Sequence, residues 1–263
     1  VKGIWFKAHG LGNDYLVAHE PHAPLTPELV RALCHRHTGC GGDGVLEPVP
    51  SQEGLAVRIW NPDGSIAEKS GNGLRIFAWW ARVYRGAPAA FRVRVVPAVG
   101  PGETVGCVVD GDRVTVEMGA GRLVGRRSYV LSGAPREAWA VSVGNPHCVL
   151  FLDDPDAVPW RAWGAELERH PDFPDRTNVQ FARVDGPDAL TLRIWERGAG
   201  ETSASGSSAC AVAWAAVHTG RVSAGPLRLH MAGGELGVTV RADGSLVLAG
   251  PVAPVGFFLP TAR

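Results

Sequence analysis

Two short stretches hold the residues best suited to chemistry: Ser70-Gly71-Asn72-Gly73 and Ser205-Gly206-Ser207-Ser208, each running straight into an apolar segment. A helix beginning at either place would present unpaired N–H groups and a partial positive charge at its start. The glycines would let an anion such as a carboxylate come close to that backbone. If both starts faced one cleft, Ser70 and Ser205 would flank a bound carboxylate from opposite sides. Moving a proton off one face of an α-carbon and onto the other needs such an arrangement, with helix dipoles stabilising the developing negative charge. That reaction needs no cofactor. The competing reading is that each serine only caps its helix.

Other side chains are candidates beside them. Glu68 lies two residues before Ser70 and Glu201 four before Ser205; either could serve as an auxiliary base, or stand as an ordinary exposed loop carboxylate. His147, two residues after Asn145, could assist an acid/base group or be a satisfied structural histidine. The run Cys34-His35-Arg36-His37-Thr38-Gly39-Cys40 has four ligand-type side chains, but its spacing matches no zinc pattern, and no metal is expected there.

The framework for these residues is a repeat. Arg58-Ile59-Trp60 recurs as Arg193-Ile194-Trp195 at an offset of 135, and the same offset carries Ser70-Gly71 onto Ser205-Gly206 and Ala78-Trp79 onto Ala213-Trp214. Gly12-Asn13 recurs as Gly144-Asn145, offset 132, and the hairpin signal Asp110-Gly111 as Asp243-Gly244, offset 133. Landmarks in one order at nearly one spacing indicate a duplicated unit. Each half reads as strands, a strand ending in Arg-Ile-Trp, a polar loop, a helix and closing hairpins. Helices are expected over 72–85, over 207–219 with Gly220 as the stop, and from Pro27 to about His37 with Thr26 as N-cap. The halves are expected at 1–125 and 126–250, divided in the basic, glycine-containing stretch between 120 and 135. Residues 251–263 form a C-terminal segment that could return to the first half.

The chain has 263 residues, equal numbers of acidic and basic side chains, and 45% hydrophobic residues. Zero net charge gives no footprint for nucleic acid. The tryptophans read as core and not as a stacking platform for bases. No apolar run is long enough to span a membrane, and no signal peptide is visible. Five scattered cysteines argue against a disulfide framework. The expected setting is cytoplasmic, with a small amino acid as partner and a homodimer as a further option.

The segments FKAHGLGNDYLV (6–17), GCGGDGVL (39–46), IWNPDGSIAEKSGNGLRIFA (59–78), VSVGNPHCVL (141–150), RTNVQF (176–181) and ERGAGETSASGSSACAVA (196–213) together resemble diaminopimelate epimerase. The resemblance implies an α/β (α+β) fold of two pseudo-symmetric domains, each a barrel-like β-sheet around a central helix, with the site in the cleft. It implies cofactor-independent interconversion of LL- and meso-diaminopimelate by two-base proton transfer. By the same resemblance, Asn61, Asn178, Glu196 and Arg197 would hold the distal amino acid end of the substrate. Asn13 and Asn145 would line the cleft, and Gly71, Asn72, Gly206 and Ser207 would offer backbone N–H groups to the reacting carboxylate. Gly44 stands where some members carry glutamine.

One departure is central: the family's two acid/base cysteines are serines here, Ser70 and Ser205. A thiol ionises near pH 8.5, lower still at a helix start, whereas a serine hydroxyl needs a base before it can accept a proton. Cys210 does not replace them, since it lies about 1.4 turns further into the helix. The serines could be introduced changes, a natural variant with a nearby base or another substrate, or the mark of a protein that binds without turnover. A same-fold isomerase using a carboxylate base and a non-catalytic binder of a diaminopimelate-like ligand are therefore the alternative functions.

Overall fold

In the computed structural model, WFKAHGLGNDYLVA folds into a hairpin of β1 (Trp5–Gly10) and β2 (Asn13–Ala18). The chain reverses through Leu11 and Gly12, both with positive φ. The structure describes residues 3–20, 24–52 and 54–260. It divides into two compact units, Val1–Val116 with Gly250–Arg263, and Glu117–Ala249.

The first unit continues with α1 (Pro27–Cys34), β3 (Val45–Val49), β4 (Leu55–Trp60), α2 (Gly71–Tyr84), β5 (Ala90–Val95), β6 (Glu103–Asp110) and the start of β7 (Arg113–Ala120). The second holds β8 (Arg122–Leu131), β9 (Ala134–Ser142), β10 (Pro146–Phe151), α3 (Trp160–Glu168), β11 (Asn178–Gly186), β12 (Ala189–Glu196) and β13 (Gly200–Glu201). After these come α4 (Gly206–His218), β14 (Gly225–Met231), β15 (Gly234–Val240) and β16 (Ser245–Pro251). The last strand, β17 (Ala253–Phe258), pairs antiparallel with β1 in the first unit.

Both units connect their strands in the same sequence of senses. In the first, β1–β2 is antiparallel, β2–β3 parallel, β3–β4 antiparallel, β4–β5 parallel and β5–β6 antiparallel. In the second, β9–β10, β10–β11, β11–β12, β12–β14 and β14–β15 repeat that order. Register repeats too: Leu16 faces Val45 and Cys148 faces Val179, while Val45 faces Trp60 and Val179 faces Trp195. The fold is thus a mixed α+β duplication.

Each unit wraps its sheet about one helix. In α2 every residue from Gly71 to Ala78 is buried, and in α4 every residue from Ser208 to Ala216. A helix apolar on all sides is stable only inside a core, and α4 accordingly packs against β9, β10, β11, β12, β14 and β15. The outer helices cover the other sheet faces. Val30 and Leu33 of α1 join a cluster with Trp5, Leu16 and Trp60, and Trp160, Trp163 and Leu167 of α3 join one with Leu150 and Phe181.

Some expectations need correction. The first helix ends at Cys34, not at His37: His35 is extended, and the N–H groups of Gly41 and Gly42 close on the carbonyls of Leu33 and Cys34. The stretch between 120 and 135 holds β8 (Arg122–Leu131), and the compact units divide between Val116 and Glu117 and between Ala249 and Gly250. Among the described residues, no helix is long and apolar enough to cross a membrane.

Candidate active site

The two central helices begin alike. Ser70 and Ser205 are both extended, with φ and ψ of −139° and 116° and of −145° and 123°. Each hydroxyl accepts an N–H three residues on, Gly73 N at 3.0 Å and Ser208 N at 3.5 Å. The side-chain cap is therefore real in both halves. It leaves Gly71 and Asn72, and likewise Gly206 and Ser207, ahead of the first intrahelical bonds, Leu74 to Ser70 and Ala209 to Ser205. Those first-turn amides have no helical acceptor, so an anion can take them.

In the first half, β2 feeds this helix start. Asn13 and Tyr15 lie two apart on one strand and so share a face. Asn13 Nδ2 donates to Asp43 Oδ2 at 2.9 Å, and Asn13 Oδ1 accepts Asn72 Nδ2 at 3.0 Å. Asn72 Oδ1 accepts the guanidinium of Arg75, which is wholly buried and donates on to the carbonyl of Pro251. Asp43 is clamped by Arg36 at 2.6 Å. The Tyr15 and Ser70 hydroxyls stand 3.0 Å apart. Asn61 lies outside this chain of bonds, in the turn after β4, where its amide donates to Ser65 Oγ at 2.9 Å. Glu68 is exposed.

In the second half, Ser205 is nearly inaccessible and its hydroxyl lies 3.5 Å from Ser207 Oγ. His147 Nε2 pairs with Asn145 Oδ1 at 2.9 Å. Burial, reinforced by the positive charge of Arg197, pushes the His147 imidazole down to about 3, so it is neutral in ordinary buffers. Beneath the helix start, Gln180 Nε2 donates to Ser208 Oγ at 3.0 Å.

The Glu196-Arg197-Gly198 turn is held from below. Asn178 Oδ1 accepts the Arg197 N–H at 3.0 Å, and Asn178 Nδ2 donates to the Pro146 carbonyl at 2.9 Å. Glu168, nearly inaccessible, accepts Gly198 N at 2.9 Å and Trp195 Nε1 at 3.0 Å. Desolvation raises its pKa, but the Trp195 and Gly198 hydrogen bonds and Arg176 outweigh that and hold it below the usual range. Glu196 Oε1 accepts Thr202 Oγ1 at 2.7 Å. Arg197 is exposed, with Nη1 3.3 Å from the carbonyl of Asp175.

Glu201 is engaged elsewhere: both oxygens take the Arg161 guanidinium, at 2.6 and 2.8 Å, and that pairing lowers its pKa. Cys210 is wholly buried in α4. In the Cys34–Cys40 run, His35 Nδ1 accepts the N–H groups of His37 and Thr38, and burial pushes the Cys34 thiol up to about 12. Among the described residues, no group of three or more His, Cys, Asp or Glu is placed to hold a metal ion.

Sequence reasoning passed over Tyr15, Asp43, Arg75, Glu168 and Gln180. A signal for Tyr15 existed: the offset of 132 that joins Asn13 to Asn145 also joins Tyr15 to His147. The buried acid Glu168 left no such trace, because its partners come from β12, the turn after it and Arg176.

Comparison with known proteins extends these observations. The family model described as diaminopimelate epimerase matches residues 5–124 and 139–255. A diaminopimelate epimerase from Desulfitobacterium hafniense is 39% identical over 271 residues, covering 95% of each chain. One from Synechococcus elongatus is 38% identical over 270 residues, again covering 95% of each. Among solved structures, a phenazine biosynthesis protein of the PhzF family from Bacillus anthracis superposes with a TM-score of 0.75 over the whole of both chains. At 12% identity that likeness establishes the fold alone.

Proposed function

The chain belongs to the diaminopimelate epimerase family, and from that premise we propose that it interconverts LL- and meso-diaminopimelate without a cofactor, with Ser70 and Ser205 in the two acid/base positions. The observation that carries the assignment of these two residues is the matched construction of the helix starts. Each has an extended serine, a hydroxyl bonded to the N–H three residues on, and a glycine opening the helix.

On this reading the reacting carboxylate sits on the first-turn amides of Gly71, Asn72, Gly206 and Ser207. As one serine removes the α-proton, charge flows toward that carboxylate, and the amides and helix dipoles stabilise it. The other serine delivers a proton to the opposite face. Arg197 takes the distal carboxylate, a role suited to a guanidinium fork. Glu196 takes the distal ammonium, with Asn61 and Asn178 completing that end. Asn178 has a second task, since its bond to Arg197 N holds the turn that presents Glu196 and Arg197. His147, neutral and bonded to Asn145, acts by orienting that amide, the sequence counterpart of Asn13 in the first half. A carboxylate base in place of Ser205 finds no support in Glu201, whose two oxygens are occupied by Arg161.

The test is incubation with LL-diaminopimelate in D₂O. Deuterium at one α-carbon, followed by NMR, is the expected result. Ligand-induced thermal stabilisation with no exchange, in the protein as it stands and after Ser70→Cys and Ser205→Cys, would replace the epimerase with a binder.

A further inference from the structure

The serine at position 70 poses a chemical problem that its surroundings address. A serine hydroxyl is too weak an acid to act on a carbon acid unless a second group takes or supplies a proton. The Ser70 hydroxyl has such a group 3.0 Å away, the phenol of Tyr15, while it also accepts the Gly73 N–H at 3.0 Å. Phenols ionise near pH 10, far more readily than an aliphatic alcohol.

Tyr15 is held in place. It sits on β2 opposite Ala8, and its side chain is almost fully buried. Its ring packs directly over the backbone of Gly44: a Cβ on Gly44 would stand 2.5 Å from Tyr15 Cε1 and 2.4 Å from the Trp60 carbonyl. Any side chain at 44 would therefore contest the space the ring occupies. Glycine there and tyrosine at 15 form one fitted pair that aims the phenol at the helix start.

The geometry points to Tyr15 as a proton-relay residue that acts through Ser70 in the epimerisation proposed above. In the direction in which Ser70 is the base, the Cα–H bond breaks and its electron pair stays with the substrate carbanion. The Ser70 Oγ gains that proton and passes its own to the phenolate of Tyr15, so one negative charge moves from phenolate to substrate. In the opposite direction Ser70 gives its proton to carbon and regains one from the Tyr15 phenol. The second half lacks this arrangement. His147 occupies the matching place, and its Nε2 is bonded to Asn145.

The inference rests on the epimerase reading, and the experiment separates the two. Deuterium exchange at the α-carbon of LL-diaminopimelate is measured from about pH 6 to about pH 10, a range ending at phenol ionisation. Four proteins are compared: the chain as it stands, Tyr15→Phe, Ser70→Cys, and the double variant. With Ser70 present, Tyr15→Phe is expected to slow exchange by about 10²-fold, the scale of general acid–base assistance, and to flatten its rise with pH. With Ser70→Cys, whose thiol ionises unaided, the same change should cost no more than about threefold. Equal losses in both backgrounds would make Tyr15 a packing residue and overturn the relay, as would no loss in either. Exchange seen only once a thiol is introduced would overturn the relay alone. No exchange by any of the four proteins would overturn the epimerase reading and the relay with it.

Discussion

The starts of α2 and α4 occupy matching places in a duplicated fold, yet they are furnished differently. At Ser70 the hydroxyl has two close partners, a phenol and an amide, both at 3.0 Å. At Ser205 the corresponding contacts, to Ser207 Oγ and Ser208 N, are each 3.5 Å, and the residue matching Tyr15 is His147, whose Nε2 is bonded to Asn145. Beneath the helices the contrast reverses. The third helical residue is Gly73 in α2, with no side chain to bond, and Ser208 in α4, which is buried and bonded to Gln180. The two halves share the backbone and the serine cap at the helix start, while the groups beside each hydroxyl differ. A reaction that needs an acid on one face and a base on the other does not require its two ends to be equal.

The comparison can be broken most sharply at the hydroxyls. Ser70→Ala and Ser205→Ala should each slow isotope exchange by about 10²- to 10⁴-fold, as expected for loss of an acid/base group. Survival of exchange in either variant would remove that serine from the reaction. Thiols sharpen the same comparison in the other direction. Ser205→Cys should raise the rate by more than Ser70→Cys, because Ser205 has no phenol beside it to replace. Equal gains, measured as kcat for the two single variants, would mean the two ends are chemically alike.

A third prediction uses pH and folding. His147 is held neutral, with its pKa down from the ordinary 6.5 to about 3. The unfolded chain therefore binds a proton that the folded chain refuses as pH falls below 6.5. Stability from this group is present above the unfolded value and is lost progressively toward pH 3. Urea midpoints should fall across that window, and His147→Asn should flatten the fall. The matching residue of the first half, Tyr15, has no imidazole to gain a proton in this window. Tyr15→Phe should leave the acid limb unchanged.

Smaller effects are expected under the helices. Ser208→Ala strands the Gln180 amide and should cost about 1–3 kcal/mol in equilibrium unfolding. Gly73→Ser should cost about 1 kcal/mol, because a Cβ there would lie 3.1 Å from Leu46 Cδ2 and 3.2 Å from Ser70 Oγ. A stabilising Gly73→Ser would show that the two helix starts are more alike than their packing suggests.

Much was legible in the chain. The offsets that join Arg58-Ile59-Trp60 to Arg193-Ile194-Trp195 and Ser70 to Ser205 exposed the duplication, because strand register and helix starts are fixed by local pattern. The caps at Thr26, Ser70 and Ser205 followed from short-range hydrogen-bonding preferences, and all three side chains bond as caps. Tertiary structure decided what lies beside each hydroxyl. Tyr15 reaches Ser70 from 55 residues away, Glu168 holds the Gly198 N–H from 30 away, and Arg161 captures Glu201 from 40 away. Such pairs form only when strands and helices pack. Sequence spacing therefore reports where a serine can cap a helix, and the packed fold alone determines which neighbour shares its proton.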